Sequence, residues 1–141
     1  MKLLCSLLCR DVQAQMLFYQ AVFGFQEITA SRSPIYRGLD TGGSVLGFNA
    51  PEARALLNLP DAPAPTADGL WPTTAFATFE LAAPADVDAA AQRVVEHGGR
   101  LLKAPFVTYY QQWQAVVADP EGHVLRLACL VLPGAVVPDG G

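Results

Sequence analysis

Charge is scarce in this chain. Asp, Glu, Lys and Arg make up 16% of its 141 residues, against 52% hydrophobic residues. A chain so poor in charge and so rich in apolar side chains folds around a core and does not stay disordered. Its net charge is −4, and the nine Lys and Arg are scattered. Neither a nucleic acid nor a membrane surface is therefore expected as a partner. No apolar run is long enough to span a bilayer. Cysteine occurs three times, with no Cys-x-x-Cys pair and no Cys/His cluster of zinc spacing. Cys5 and Cys9 lie on one expected strand, about 13 Å apart at ~3.3 Å per residue, which is too far to bridge. With Cys129 on another strand, three apolar-flanked thiols fit a reduced, cytoplasmic core. Nothing resembles a nucleophile–base pair or a phosphate-cradling loop; Gly42-Gly43 is turn chemistry.

What the chain does have is a repeat. Asp11-Val12 opens a helical pattern that closes at Gly24, and Asp86-Val87 opens another that closes at Gly98. Each copy ends in a turn and a strand, Asp40-Thr41-Gly42-Gly43 before residues 44–48 and Asp119-Pro120-Glu121-Gly122 before residues 123–127. Half-size modules of one kind would have to share a core. Residues 2–9 read as a strand and not as a stunted signal sequence, because Arg10-Asp11 follows too soon. Asp11 can cap the first helix, whose stripe is Val12, Met16, Tyr19 and Val22/Phe23. Strands are expected over 25–29, 35–39 and 44–49. Five prolines break up the connector, residues 51–72, where 52–57 can form one or two helical turns. A strand at 73–81 restarts the pattern. A helix with the stripe Val87, Ala90/Ala91, Val94 and Val95 follows, then strands at 100–106, 112–118 and 123–130. The organisation is one domain with module one at 1–50, module two at 73–132 and a frayed tail at 133–141.

This tandem β-α-β-β-β carries Phe18-Tyr19 and Phe23-Gly24-Phe25 in its first copy. Its last hairpin carries Val117-Ala118-Asp119-Pro120-Glu121-Gly122-His123. On these motifs, over roughly residues 2–131, the chain resembles the glyoxalase / bleomycin-resistance / extradiol-dioxygenase superfamily, also called vicinal oxygen chelate. The resemblance implies an α+β fold in which the tandem modules form a cup-shaped mixed sheet. The superfamily includes lyases, epimerases, thiol transferases, dioxygenases and drug-sequestering proteins, so fold does not settle function. Its metal enzymes place His, Gln or Glu at four positions, two per module. Counting from the shared landmarks puts Leu4, Gly47, Phe76 and Arg126 there. None of the four supplies a ligand for a divalent ion, and the neighbours Cys5, Phe48, Ala77 and Leu127 face the other side of their sheets. The expectation is no metal and no cofactor.

Strand alternation sorts the two sheet faces. Cys5, Leu7 and Cys9 are expected under the first helix with Leu46 and Phe48. Ala77, Phe79 and Leu81 are expected under the second with Leu125, Leu127 and Cys129. Leu4, Ser6, Leu8, Val45, Asn49, Phe76, Thr78, Glu80, Val124, Arg126 and Ala128 then face the cup, a mostly apolar lining with a few hydrogen-bonding groups. Arg126 either pairs with Glu80, lies at a dimer seam, or holds an anionic group of a ligand. Glu80 is its expected partner and otherwise the one candidate base. His123 is expected in a turn role and His97 at a helix end, so neither stands where acid–base chemistry would want it. The aromatic run Phe106, Tyr109, Tyr110 and Trp113, with Trp71, either walls a flat ligand or packs at an edge or subunit interface.

The expected ligand-binding set is therefore Leu4, Ser6, Asn49, Trp71, Phe76, Thr78, Glu80, Phe106, Tyr109, Tyr110, Trp113 and Arg126. The expected protein is a metal-free, cytoplasmic homodimer that binds a small apolar or aromatic ligand, such as an antibiotic or another xenobiotic. The resemblance to bleomycin-resistance proteins supplies sequestration as the analogy, although bleomycin itself is not expected, because this chain offers no strong acidic field. The rival is a lyase, isomerase or dioxygenase-type enzyme with a non-standard site.

Overall fold

Asp11 turns the chain into its first helix. Its backbone is extended and its carboxylate accepts a hydrogen bond from the Ala14 amide at 2.9 Å, satisfying one of the donors that a helix start leaves open. In a computed structural model that describes residues 1–130, this helix, α1 (Val12–Phe23), follows strand β1 (Cys5–Leu8) and stops at Gly24 in the left-handed conformation. Then come β2 (Gln26–Glu27), a 3₁₀ turn (Thr29–Ser31), β3 (Tyr36–Asp40), β4 (Val45–Asn49) and the single turn α2 (Ala53–Leu56). The second copy is β5 (Ala77–Glu80), α3 (Pro84–Glu96), β6 (Arg100–Val107), β7 (Gln112–Ala118) and β8 (Val124–Leu130). The tail expected to fray, 133–141, lies outside the described residues.

The chain divides into two compact units between Ala64 and Pro65, inside the proline-rich connector. Each unit carries one four-stranded mixed sheet, and the two orders are the same: β1-β4-β3-β2 in the first and β5-β8-β7-β6 in the second. In each, the first strand runs parallel to the last and the other pairings are antiparallel.

The repeat is thus real at the level of hydrogen-bond register. Ser6 stands opposite Gly47 as Thr78 stands opposite Arg126. The helix starts differ. Asp11 is a cap, whereas Asp86 is the third helical residue, reaching back to the Ala83 amide at 3.1 Å with Pro84 at the first position.

In unit 1, α1 packs on β3 and β4 and buries Met16, Phe18, Tyr19 and Val22 with Leu39, Leu46 and Phe48. Tyr19 anchors this cluster, its ring centroid 5.3 Å from Phe48 and 5.2 Å from Phe18. In unit 2, α3 packs on β6, β7 and β8, burying Val87, Ala90, Ala91 and Val94 with Leu125, Leu127 and Cys129. Two expectations fail here. Val95 is exposed, one step past the buried stripe. Cys5 is also exposed, because the helix covers the inner strands and leaves β1 at the sheet edge.

Both first strands are shorter than expected, for one reason. Strand pairing lasts only as long as the partner. The β1 ladder begins where Cys5 meets Leu46, and the β5 ladder where Ala77 meets Leu125. Residues 2–4 and 73–76 precede those points. The 25–29 strand shrinks to Gln26–Glu27 because Thr29 enters the 3₁₀ turn. No helix among the described residues is long and apolar enough to cross a membrane.

Candidate functional site

Each sheet has one face under its helix and one face without a helix. On β7 and β8, Trp113, Ala115, Val117, Leu125, Leu127 and Cys129 alternate onto the α3 side and are buried. Their neighbours Gln114, Val116, Arg126 and Ala128 take the opposite side, since cross-strand partners share a face. Thr78 and Glu80 join them through Arg126 and Ala128, and Lys103 and Phe106 through Val116 and Gln114.

Arg126 centres this helix-free face. Its Nε donates to Thr78 Oγ1 at 3.0 Å, and its Nη1 lies 3.5 Å from Tyr110 Oη, at the limit of a hydrogen bond. The Tyr110 hydroxyl donates to Gln114 Oε1 at 2.7 Å, so its oxygen is left to accept from the arginine. The guanidinium carbon sits 5.3 Å from the Phe76 ring centroid, within cation–π range. Among the described residues no carboxylate lies within ion-pair distance of Arg126. The expected Glu80–Arg126 pair is therefore absent: Glu80 stands opposite Ala128, while Thr78 stands opposite the arginine. Lys103 adds a second cation to the face, its Nζ 3.9 Å from the centroid of Phe106.

The loop before β7 presents the tyrosines. Thr108 closes it, accepting from the Gln112 amide through Oγ1 at 3.0 Å while its own amide donates to the Gln112 carbonyl at 2.8 Å. Tyr110 meets Tyr109 edge to face at 4.9 Å, and Tyr109 is 94% exposed.

Two tryptophans expected in the aromatic wall are elsewhere. Trp113 is only 2% exposed, on the helix side, where its Nε1 donates to Asp88 Oδ1 of α3 at 2.7 Å. It belongs to the core. Trp71 is fastened to the β7–β8 hairpin, its amide donating to the Gly122 carbonyl at 3.1 Å and its ring stacked on His123. His123 in turn sits 2.9 Å from buried Asp119, which also accepts from the Glu121 and His123 amides. His123 thus has the turn role expected of it, and exposed His97 ends α3.

In unit 1, Ser6 and Asn49 stand on the helix-free face, while Leu4 lies exposed ahead of β1. Tyr36 joins them, and it was missed along with Gln114 and Lys103. Strand parity was the available signal: Tyr36 pairs with Asn49, and Gln114 with Ala128.

Burial pushes the Cys5 and Cys129 thiols up, which favours the neutral thiol and not a nucleophilic thiolate. The positions at which the resemblance implies metal ligands do not fit a metal. Leu4, Gly47 and Phe76 have no donor atom, and Arg126 is a fixed cation already bonded to Thr78. Among the described residues no three His, Cys, Asp or Glu side chains are grouped so as to hold an ion.

A model of the Glyoxalase/Bleomycin resistance protein/Dioxygenase superfamily matches residues 3–127. A glyoxalase/bleomycin resistance protein/dioxygenase family enzyme from Burkholderia phytofirmans PsJN is 41% identical. The match covers 89% of this chain and 95% of that one, with a TM-score of 0.77. A glyoxalase-related enzyme from Fulvimarina pelagi is 21% identical, covering 100% of this chain and 96% of that one, with a TM-score of 0.74. A fosfomycin resistance protein from Listeria monocytogenes is 14% identical, covering 92% and 93%, with a TM-score of 0.66. The last two show likeness of fold alone. No curated protein matches significantly. With nearly its whole length matched and two sheets of the same β-α-β-β-β order, the chain belongs to the glyoxalase/bleomycin resistance protein/dioxygenase superfamily.

Proposed function

We propose that this protein binds a small, largely apolar or aromatic ligand with an anionic group, and that it does so without a metal. The observation that carries the reading is Arg126: a guanidinium held by Thr78 and Tyr110, beside Phe76, with no carboxylate in reach. An arginine fixed by neutral partners keeps donors open on its outer edge, and that fork matches a planar oxyanion. Phe76 and Tyr110 supply apolar area beside it, and Phe106 lies on the same face, in the mixture usual for small-molecule sites. Sequestration of an antibiotic or another xenobiotic needs this and no bond-making residue. The proposal includes a homodimer, and a cytoplasmic location in keeping with three free cysteines.

The test is a thermal-shift screen against planar aromatic carboxylates and hydrophobic antibiotics, alongside nickel, manganese and ferrous ions. A ligand at 100 times its Kd stabilises by about 2.7 kcal/mol. Stabilisation by aromatic anions supports the reading. No stabilisation by any of them, or stoichiometric uptake of a metal, overturns it.

A second reading draws on the Burkholderia relative, which is described as an enzyme. Glu80 is exposed on the same face as Thr78 and is the candidate base for a lyase or isomerase. Turnover lost in Glu80→Gln with ligand binding retained would favour this reading.

A further inference from the structure

We propose that protonated His123 is a latch that fastens the connector segment 66–71 to the β7–β8 hairpin, and that loss of its proton loosens the segment. Segment and hairpin both belong to unit 2. The segment is a small folded strap: the Thr66 amide donates to the Leu70 carbonyl at 2.7 Å and the Gly69 amide to the Thr66 carbonyl at 2.8 Å. At one end Arg100 Nη1 holds it down by donating to the Asp68 carbonyl at 2.7 Å. At the other, the Trp71 amide donates to the Gly122 carbonyl at 3.1 Å and the indole lies on the His123 ring, 25° from parallel. Gly122 lets the two backbones meet, because a Cβ there would strike the Gly69 carbonyl. The strap sets where residues 72–76 begin, and Ala77 opposite Leu125 sets where they end. Those residues bring Phe76 to Arg126.

His123 is the titratable member of this fastening. Its Nδ1 lies 2.9 Å from Asp119 Oδ2, and a carboxylate only accepts, so Nδ1 keeps its proton and the titrating proton is on Nε2. The Asp119 side chain is fully buried and that of His123 is 14% exposed. With the ring charged, the contact is an ion pair shielded from water, and the indole face stands 6.1 Å away, at the edge of cation–π range. With the ring neutral, a buried carboxylate loses its counter-charge. Burial works against the charge on the ring. The carboxylate works for it, and the Glu121 and His123 amides already hold that carboxylate in place. The other charged groups on the elements that meet here are Glu121 on the hairpin, Asp68 on the strap, Arg100 on β6, and Glu96 and His97 at the end of α3, where Gly98 approaches Pro120. The Asp68 carboxyl is held low, first by its hydrogen bond from Thr66, so it stays ionised where a histidine titrates.

The proposal needs no ligand, so it stands or falls apart from the Arg126 reading. Opening of the strap is read by hydrogen exchange of the Trp71 amide in the ¹⁵N-labelled full chain at about pH 5.5 and about pH 8, corrected for intrinsic exchange. Trp71 is expected to exchange faster than Leu127 inside β8, which marks local opening. Its protection is expected to fall roughly tenfold at the higher pH, a factor of ten for each pH unit by which fastening raises the ring's titration. In His123→Gln the amide should exchange at the faster level at both pH values, whereas His97→Gln should keep the wild-type difference. Asp119→Asn retains an oxygen to accept from the hairpin amides and should lose the difference. In the wild-type protein the His123 C2 proton is expected to titrate at higher pH than in the urea-unfolded chain. Equal protection at the two pH values, or a difference that survives in His123→Gln, overturns the proposal. So does a Trp71 amide no faster than Leu127, or a His123 midpoint at or below that of the unfolded chain.

Discussion

Replacing Trp113 by Phe separates a core residue from a ligand wall. The indole is 2% exposed, and its Nε1 donates to Asp88 Oδ1 at 2.7 Å, tying β7 to α3. Phenylalanine fills most of the space but loses that bond and leaves a gap where the second ring stood. A hydrogen bond to a charged group contributes about 1.5–3 kcal/mol, and half-exposed Asp88 puts this one at the low end. The gap adds about 1 kcal/mol. The sum, about 2–3 kcal/mol, is a large fraction of a typical domain's stability and corresponds to a drop in Tm of about 6–12 °C. Circular dichroism on heating measures it. Asp88→Asn retains an acceptor oxygen and should cost about 1 kcal/mol. Benzoate affinity should match wild type in both variants. A Tm within about 2 °C of wild type, with weakened benzoate, would refute the assignment of Trp113 to the core.

Gly122 and Gly42 both have φ near +90° (+93° and +92°), but a Cβ at Gly122 would lie 2.4 Å from the Gly69 carbonyl, whereas one at Gly42 meets nothing within 4 Å. Gly42→Ala should therefore cost only the conformational penalty, about 1–2 kcal/mol, and Gly122→Ala clearly more, because backbone must move; urea unfolding compares them. Iodoacetamide should label Cys5 in the folded protein, and buried Cys9 and Cys129 only after denaturation, as peptide mass mapping would reveal. Cys5 labelling should need higher pH than a free thiol, since this residue, exposed overall, still has its thiol partly shielded from water, which raises its pKa. A raised thiol pKa favours folding below the unfolded value, and that contribution is lost as pH climbs through the folded one. The Glu27 carboxyl is held low, first by its hydrogen bond from Arg32, so its contribution is present above the ordinary carboxylate range and lost as pH falls. Arg32→Ala should flatten the acid limb of a Tm–pH profile slightly.

What was legible in the sequence was whatever local chemistry writes. Asp11 and Gly24 bracket α1, and the hairpin glycines mark where β4 and β8 begin. The repeat marks two β-α-β-β-β modules, and the structure gives each of them a sheet with the same strand order. Properties that depend on a distant partner were harder to read. The length of β1 is set by its pairing with β4, 41 residues on in the ladder from Cys5 to Leu46. Arg126 bonds Thr78 and not Glu80 because parallel register puts Thr78 opposite it. The aromatic run places Trp113 with its sequence neighbours, whereas alternation along β7 sends it and Gln114 to opposite faces. The Tyr36 ring is placed by the pairing of Gly38 with Gly47, which no local window contains.

The most direct test is calorimetric titration of benzoate into wild type and Arg126→Gln. If an unpaired guanidinium is the anion-binding element, the variant should lose roughly tenfold to a hundredfold in affinity with its Tm nearly unchanged. Equal benzoate affinity in the two proteins would contradict the account.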